Sequence, residues 1–288
     1  MSVPALFSIE RIFASENECI SFLFEEGILY KPTRCERCTS KLYRDKIRFC
    51  CLNKKCRKSV SIFKDSFFAK NHIDCNKAMM IGYLWLCKSS YTSIRMITRH
   101  SPSTISSYMR FFREMVIDTL QDSCQKIGGK GVIVEIDESK FGKRKNYRGR
   151  RVDGVWVIGG VEKTSEKRCF LKKVKKRDWD TIQKIIKRYV KKGSIVRTDC
   201  WPGYDKLRKS GVLHETVNHS KHFKDPDSGV HINTIEGTWN GIKLQISPRN
   251  RNKYLIEGHL FEFIWRRSNK GNLWEAFIDA LRSTAYYE

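Results

Sequence analysis

The order of apolar patterns between residues 132 and 200 constrains the fold of this chain more than any other feature. Three β-branched apolar runs occupy 132–139, 152–162 and 168–176, an amphipathic run follows at 178–192, and a fourth β-branched run occupies 194–200. Short runs of this kind predict strands, and the spacing of the amphipathic run predicts a helix with Asp178 as its N-cap. The pattern therefore predicts three strands, a crossover helix and a strand that returns parallel to the first.

Three acidic residues stand at informative points of this pattern. Asp137 and Asp199 each follow a short apolar run that reads as a buried strand, and Glu236 opens a segment with helical spacing. The predicted plan is ribonuclease-H-like and sets Asp137 beside Asp199 on neighbouring strands. Three carboxylates are suitable ligands for two divalent ions of the Mg²⁺ type, which stabilise the attacking and leaving oxygens of a phosphodiester.

Alternation along the first strand ranks its acidic residues. Glu135 and Asp137 share one face of the strand and Glu138 points to the other, so Asp137 is the primary candidate ligand and Glu135 the second. On the predicted helix, Asn233 and Lys243 lie near the face of Glu236. This face offers a carboxylate, an amide and a cation for a substrate phosphate. A helix cap is the alternative role for Asp199.

A dense basic stretch follows Asp137 directly. Cations beside a metal-binding acid suit a division of labour in which the acid holds metal and the cations hold a phosphate backbone. A solvated basic hairpin is the alternative interpretation. The predicted DNA-contacting residues are Lys140, Lys143, Arg144, Lys145, Arg148, Arg150, Arg151 and, from the later helix, Lys243.

Composition agrees with a nucleic-acid partner. The chain has 288 residues with 56 Lys and Arg against 31 Asp and Glu, a formal charge of +25, which favours polyanions through counterion release. A merely basic protein is the alternative. No apolar stretch approaches the roughly 20 residues of a membrane span, and the first residues lack a signal-peptide pattern. We therefore expect an intracellular protein with reduced cysteines and no membrane partner.

Clustered cysteines predict a zinc site near the start of the chain. Cys35 and Cys38 form a CxxC pair, and Cys51 and Cys56 supply a second pair with four intervening residues. Two hairpins that each contribute a pair would hold one tetrahedral Zn²⁺. Cys50 competes with Cys51 for the third position. Ordinary buried cysteines are the alternative.

The remaining patterns divide the chain into modules. Helical spacing covers most of residues 76–120, where a short helix precedes one that starts near Ser103 and Thr104, the layout of a helix-turn-helix. A plain packed bundle is the alternative. The Gly-rich segment before residue 132 marks a boundary. The predicted modules are a helical lead-in at 1–30, a zinc ribbon at 31–70, a helix-turn-helix-like DNA-binding region at 71–125, and an α/β ribonuclease-H-like catalytic domain at 126–288.

Several motifs together resemble a known family. The motifs are CERC, FCCLNKKCRKSVSIFKDSFF, EIDESKFGKRK, TDCWPGYDKL and VNHSKHFKDPDSGVHINTIEGTWNGIK. They resemble the Merlin-type transposases and the related bacterial insertion-sequence DDE transposases, and the resemblance covers nearly the whole chain. It implies a zinc ribbon and helix-turn-helix before the catalytic domain, and an enzyme that cuts and rejoins double-stranded DNA at terminal inverted repeats.

The resemblance also implies residue roles. Asp137, Asp199 and Glu236 correspond to the catalytic triad with Mg²⁺ or Mn²⁺, and Asn233 is an alternative for the third role because some relatives use an amide near that acid. Cleavage of two element ends implies a homodimer or higher oligomer on DNA. The expected location is the nucleus in a eukaryotic host, and otherwise the cytoplasm or nucleoid.

Two rival functions stand beside the transposase. One is a non-catalytic, transposase-derived DNA-binding regulator, and the other is a metal-dependent nuclease without strand transfer. All three acids are present in the chain, which argues against a decayed site.

Overall fold

The computed structural model describes residues 3–121, 126–142, 154–217 and 231–284. The chain forms two compact units. The first, here called the helical unit, consists of Met1–Thr119 together with Asn269–Glu288, and the second, the sheet unit, consists of Leu120–Ser268.

The helical unit begins with short helices, a small sheet and three further helices. Its elements are a 3-10 helix at Leu6–Ser8, α1 (Arg11–Ala14), α2 (Glu16–Glu25), β1 (Leu42–Asp45), β2 (Arg48–Cys51), β3 (Ser59–Ser61), α3 (Cys75–Leu86), α4 (Tyr91–Thr98) and α5 (Pro102–Gln121). The strands form an antiparallel sheet in the order β1-β2-β3. This small sheet carries the cysteine motifs.

A tight turn joins α4 to α5. Arg99 adopts a left-handed conformation with φ 56° and ends α4, and the Ser101 hydroxyl accepts a hydrogen bond from the Thr104 N–H at 3.2 Å. The helix α5 begins at Pro102, slightly earlier than the predicted start near Ser103 and Thr104. Proline suits the first helical position, because the N–H that it lacks would have no partner within the helix there.

The sheet unit has the predicted strand order. Its elements are β4 (Ile133–Phe141), β5 (Val155–Glu162), β6 (Cys169–Val174), α6 (Trp179–Tyr189), β7 (Ile195–Asp199), a 3-10 helix at Pro202–Ser210, β8 (Leu213–Val217), α7 (Asn233–Gln245), a 3-10 helix at Pro248–Asn250 and α8 (Ile256–Ser268). The sheet order is β6-β5-β4-β7-β8. Strands β4, β5 and β6 are antiparallel neighbours, while β7 is parallel to β4 and β8 is parallel to β7. This is the ribonuclease-H-like plan, with β8 as a fifth strand that the sequence interpretation missed.

Helices cover both faces of the five-stranded sheet. On one face, Val134 and Ile136 of β4 pack with Ile182 of α6 in a buried core. On the other face, Trp239 of α7 and Leu260 of α8 pack in a second core with residues of β5. The central strand β4 is thus buried on both sides, as expected for a strand between helical layers.

The last helix, α9 (Leu273–Ser283), belongs to the helical unit and not to the sheet unit. Phe277 of α9 packs edge-on against Phe112 of α5, with ring centroids 5.4 Å apart. A Cβ atom at Gly82 of α3 would lie 2.7 Å from the Phe277 ring, so glycine permits this close approach. The predicted domain at 126–288 differs from the observed division here, because the aromatic face of α9 completes the core around α3 and α5.

Candidate active site and cysteine cluster

Four cysteine side chains converge in the helical unit. The Sγ atoms of Cys35, Cys38, Cys51 and Cys56 all lie within 4.8 Å of one another. Cys35 and Cys56 are 3.8 Å apart and Cys38 and Cys51 are 3.4 Å apart. A tetrahedral zinc ion with Zn–S bonds of about 2.3 Å requires sulfur separations of about 3.8 Å. The four residues therefore fit a zinc site, whereas Cys50 lies outside the cluster.

Backbone amides stabilise these sulfur atoms. The backbone N–H group two positions after each cysteine acts to lower the pKa of its thiol; these groups belong to Arg37, Ser40, Asn53 and Lys58. Hydrogen bonds from Ser40 lower the pKa of the Cys38 thiol to about 6. Burial instead raises the pKa of the Cys51 thiol to about 12. Because metal ligands are thiolates, a bound cation is needed to hold all four sulfurs deprotonated at neutral pH.

The three predicted acids lie in the sheet unit on β4, β7 and α7. Asp199 is the last residue of β7, and Asp137 lies in the middle of β4, which continues to Phe141. The parallel register pairs Glu135 with Arg197, so two residues further along each strand Asp137 comes level with Asp199. Glu236 lies in the first turn of α7.

Glu135 fastens the start of α7 to β4. Its carboxylate is fully buried and accepts hydrogen bonds from the N–H groups of Thr234 at 2.8 Å and Ile235 at 3.0 Å, and from the Thr234 hydroxyl at 3.0 Å. An acid at a helix N-terminus satisfies free N–H groups and complements the helix dipole. Glu135 therefore caps α7, a role that the sequence interpretation, which ranked it as a second ligand, did not include.

The Asp137 carboxylate is held by a hydrogen bond, while its charged form is destabilised by its surroundings. The Trp239 indole donates a hydrogen bond to Asp137 Oδ2 at 2.9 Å. The pKa of the Asp137 carboxyl is raised to about 6, mainly by burial. The negative charges of Asp199 and Glu236 contribute to the same rise. Asp137 is thus close enough to Asp199 and to Glu236 to be repelled by both. A divalent cation would relieve this repulsion.

A second polar cluster lies on the opposite face of β4. Glu138 accepts a hydrogen bond from the buried Tyr204 hydroxyl, and burial raises the pKa of Glu138 to about 7. The Arg177 guanidinium lies 3.7 Å from Glu138 Oε2. It also lies 3.6 Å from the centre of the Trp156 ring and 4.9 Å from that of Trp201. Tyr204 and Arg177 had no signal in the sequence because they are far from Glu138 along the chain.

The candidate ligand atoms of the three acids are spaced more widely than those of the four cysteines. Across residues 3–121, 126–142, 154–217 and 231–284, the cysteine cluster is the single group of three or more Cys, His, Asp or Glu ligand atoms that all lie within 4.8 Å. The carboxylates of Asp137, Asp199 and Glu236 are more widely spread.

Other predicted site residues are partly placed. Lys140 and Lys243 are exposed, and Asn233 Oδ1 is buried and accepts no hydrogen bond from the described part of the chain. The remaining predicted cations lie outside the described residues: Lys143, Arg144, Lys145, Arg148, Arg150 and Arg151. None of the helices in the described ranges is long and apolar enough to cross a membrane.

Comparison with known proteins identifies the family. Residues 127–267, which include all three acids, match the ISXO2-like transposase domain. A protein of Haemophilus influenzae, described as an uncharacterized transposase-like protein, is 38% identical over 90 residues that cover 31% of this chain and 72% of that protein. The chain belongs to the ISXO2-like transposase family. The predicted resemblance to bacterial insertion-sequence transposases is thereby confirmed.

Among solved structures, the ISXO2-like chain is similar to one in a crystal structure of a pre-cleavage Mos1 transpososome. The match has 12% identity and a TM-score of 0.27, and it covers 74% of this chain and 79% of that chain. Similarity at this level carries no weight for mechanism. The α/β fold assignment rests on the strand order and register described above.

Proposed function

We propose that this ISXO2-like protein is a DDE transposase that cleaves DNA at the terminal inverted repeats of its element and joins the freed ends to target DNA. The observation that carries the proposal is the convergence of Asp137, Asp199 and Glu236 from two parallel strands and one helix. These acids lie close enough for the charges of the other two to raise the pKa of Asp137.

The residues present fit divalent metal ions such as Mg²⁺ or Mn²⁺. All the candidate ligands are oxygens, which hard cations prefer. Asp137, Asp199 and Glu236 would hold the ions, and the buried, unpartnered Oδ1 of Asn233 is the alternative or additional ligand. When bound, such ions activate the attacking oxygen and stabilise the leaving oxygen of a phosphodiester.

Neighbouring groups fix the orientation of each acid. The Trp239 indole donates a hydrogen bond to Asp137, and the backbone N–H of Trp201 donates one to Asp199 Oδ1 at 3.0 Å. Glu135 anchors the helix that carries Glu236. Carboxylates held in this way are preorganised, which lowers the cost of assembling charge at the reacting phosphate. Exposed Lys140 and Lys243 would contact the DNA backbone.

The helical unit supplies the proposed zinc ribbon and DNA-binding helices. Zinc bound by Cys35, Cys38, Cys51 and Cys56 would hold the three-stranded sheet together, as structural zinc sites do. Arg95, Arg99 and Arg110 are exposed on or next to α4 and α5 and would contact DNA. We further propose a homodimer or higher oligomer on DNA, and action in the cytoplasm or nucleoid, since the family is bacterial.

The test is strand cleavage and joining by purified protein with Mg²⁺ or Mn²⁺ and DNA that carries the element ends. Wild type is compared with Asp199→Asn and with Asp180→Asn, a matched exposed control on α6. We expect metal-dependent cleavage and joining that Asp199→Asn abolishes and Asp180→Asn retains, with DNA binding unchanged in both variants.

Each rival function has its own outcome. Tight binding without cleavage by any of the proteins would favour the DNA-binding regulator. Cleavage without joining of a pre-nicked element end would favour a nuclease. Cleavage by Asp199→Asn at the wild-type rate would remove Asp199 from the proposed site.

A further inference from the structure

The connection between α7 and α8, residues 246–255 and here called the α7–α8 turn, is basic and free of acids. No Asp or Glu occurs between Glu236 and Glu257, while Lys243, Arg249, Arg251 and Lys253 all fall in that interval. Positive charge is therefore concentrated locally with no opposing carboxylate in the same segment, which favours a polyanionic partner.

This turn lies at the end of the sheet toward which β4 runs from Asp137. Arg251 donates to the carbonyl oxygen of Ile246 at 2.9 Å and also to that of Lys243, which ties the turn to the C-terminus of α7. A Cβ atom at Gly142, just beyond β4, would lie 2.6 Å from the Arg251 carbonyl oxygen. The turn thus packs directly against the end of the strand that carries Asp137.

Hydrogen bonds fix the shape of the turn. The Asn252 side chain donates to the Arg249 carbonyl oxygen at 2.9 Å. Its Oδ1 accepts from the N–H groups of Tyr254 at 3.0 Å and Leu255 at 3.1 Å. Lys173 of β6 donates to the Lys253 carbonyl oxygen at 3.2 Å. The side chains of the turn are therefore presented from a constrained backbone, which reduces the entropy lost on binding.

Large apolar side chains are exposed on this basic surface, including Leu255, which is 48% exposed. Tyr254 is 80% exposed and Leu244 of α7 is 88% exposed. The Lys253 ammonium lies 5.0 Å from the centre of the Tyr254 ring. An exposed aromatic ring next to cations is the combination that binds unpaired nucleotides, because bases stack on the ring while cations contact the phosphates.

We propose that the α7–α8 turn binds an unpaired nucleotide of the DNA strand next to the candidate active site. Tyr254 stacks on the base, and Arg249 and Lys253 contact the flanking phosphates. The base must lie outside the duplex stack, since inside a duplex both faces of each base are covered by neighbouring base pairs. The inference rests on the proposed DNA substrate but not on catalysis, so a binding assay tests it separately from cleavage.

The experiment measures binding of the full chain to two labelled DNAs by fluorescence anisotropy. One DNA is a blunt duplex, and the other is the same duplex with a short single-stranded 3′ extension. We expect wild type to prefer the extended DNA. Tyr254→Ala should bind it at least about fivefold more weakly, the loss typical of one stacked base, while its affinity for the blunt duplex stays unchanged. Tyr254→Phe should retain the preference.

Matched controls come from the opposite end of the sheet. Leu213 at the start of β8 is 59% exposed, and Leu213→Ala should bind both DNAs as wild type does. Replacing Arg249 and Lys253 together by Ala should reduce the salt dependence of binding by about 1.4–1.8 in slope, because each phosphate contact contributes about 0.7–0.9. Replacing exposed Lys187 and Lys191 together should leave the slope unchanged.

Two results would overturn the proposal. One is a Tyr254→Ala variant that keeps the full preference for the extended DNA. The other is equal weakening on both DNAs, which would place Tyr254 on the duplex surface. Neither result affects the cleavage test with Asp199→Asn. Circular dichroism of each variant checks folding. Tyr254→Phe keeps an aromatic ring at this position, so it separates loss of stacking from a general effect of substitution.

Discussion

Asp137→Asn should stabilise the sheet unit in the absence of divalent metal while removing activity. The substitution keeps the size of the side chain and keeps an oxygen that accepts the hydrogen bond from Trp239. It removes a negative charge that is buried and repelled by Asp199 and Glu236. A residue retained for metal binding is expected to cost stability when no metal neutralises it.

The size of the effect follows from the pKa of Asp137. Its rise from 3.8 to about 6 corresponds to roughly 3 kcal/mol at a pH above both values, as one pKa unit is about 1.36 kcal/mol. We expect about 1–3 kcal/mol, because partial solvent access weakens the effect. The native state binds the extra proton between about pH 4 and pH 6, so wild-type stability falls as pH rises through that window. Below pH 4 the variant should show no advantage.

Hydrogen exchange of the β4 amides, Ile133–Phe141, measures this stability within the sheet unit. Wild type, Asp137→Asn and the control Asp180→Asn are compared at pH 8 and pH 4 without Mg²⁺ and without chelator, so that zinc is undisturbed. Slower exchange in Asp137→Asn at pH 8 alone is the expected result. Equal or faster exchange than wild type at pH 8 would refute the electrostatic argument, and an equal gain in Asp180→Asn would show that the effect is not specific to the site.

Three further predictions concern the scaffold. Cys51→Ser should lose bound zinc, whereas Cys50→Ser should keep it, as measured by atomic absorption of the purified proteins; zinc loss in both or neither would contradict the cluster geometry. Glu135→Ala should destabilise the sheet unit by about 3 kcal/mol or more, since buried donors lose their acceptor; urea unfolding that matches wild type would exclude the cap. Thr39→Gly should raise the free energy of unfolding by about 0.5–1 kcal/mol, because Thr39 has φ 58° and a β-branched residue is strained in the left-handed region. An unchanged or lower melting temperature would contradict this.

Local sequence pattern predicted the central strands well. The four β-branched runs differ in periodicity from the amphipathic segment that precedes the fourth run. The preference for right-handed crossovers then leaves few ways to connect the elements. Asp178 caps α6 as predicted, with its Oδ1 accepting the Thr181 N–H at 3.1 Å. The strand β8 escaped prediction because Leu213–Val217 is short, polar in its middle and preceded by a charged 3-10 segment, so its pattern alone gives no clear strand signal.

Long-range contacts explain what the sequence could not predict. The Glu138–Tyr204 hydrogen bond joins residues 66 positions apart. The helix α9 joins the core around α3 and α5, although Phe277 lies 165 positions after Phe112 and 195 positions after Gly82. Neither pairing leaves a periodic trace in the chain. Side chains that meet only after folding are set by packing of whole elements, which local propensity does not specify.

The two acids on one face of β4 illustrate how the same residue type serves different purposes. Glu135 lies opposite the start of α7, where its carboxylate accepts hydrogen bonds from two backbone N–H groups and from the Thr234 hydroxyl. Asp137 lies two residues further along the same face, where the Trp239 indole donates a hydrogen bond to it and the nearby charges of Asp199 and Glu236 are negative. Because Glu135 fixes the first turn of α7, it also fixes the backbone of Glu236 in that turn and of Trp239 one turn later, whose indole binds Asp137. The cap thus holds the helix that carries two side chains of the candidate site, and Asp137, which lacks such donors from a helix start, is the acid that we propose binds a cation.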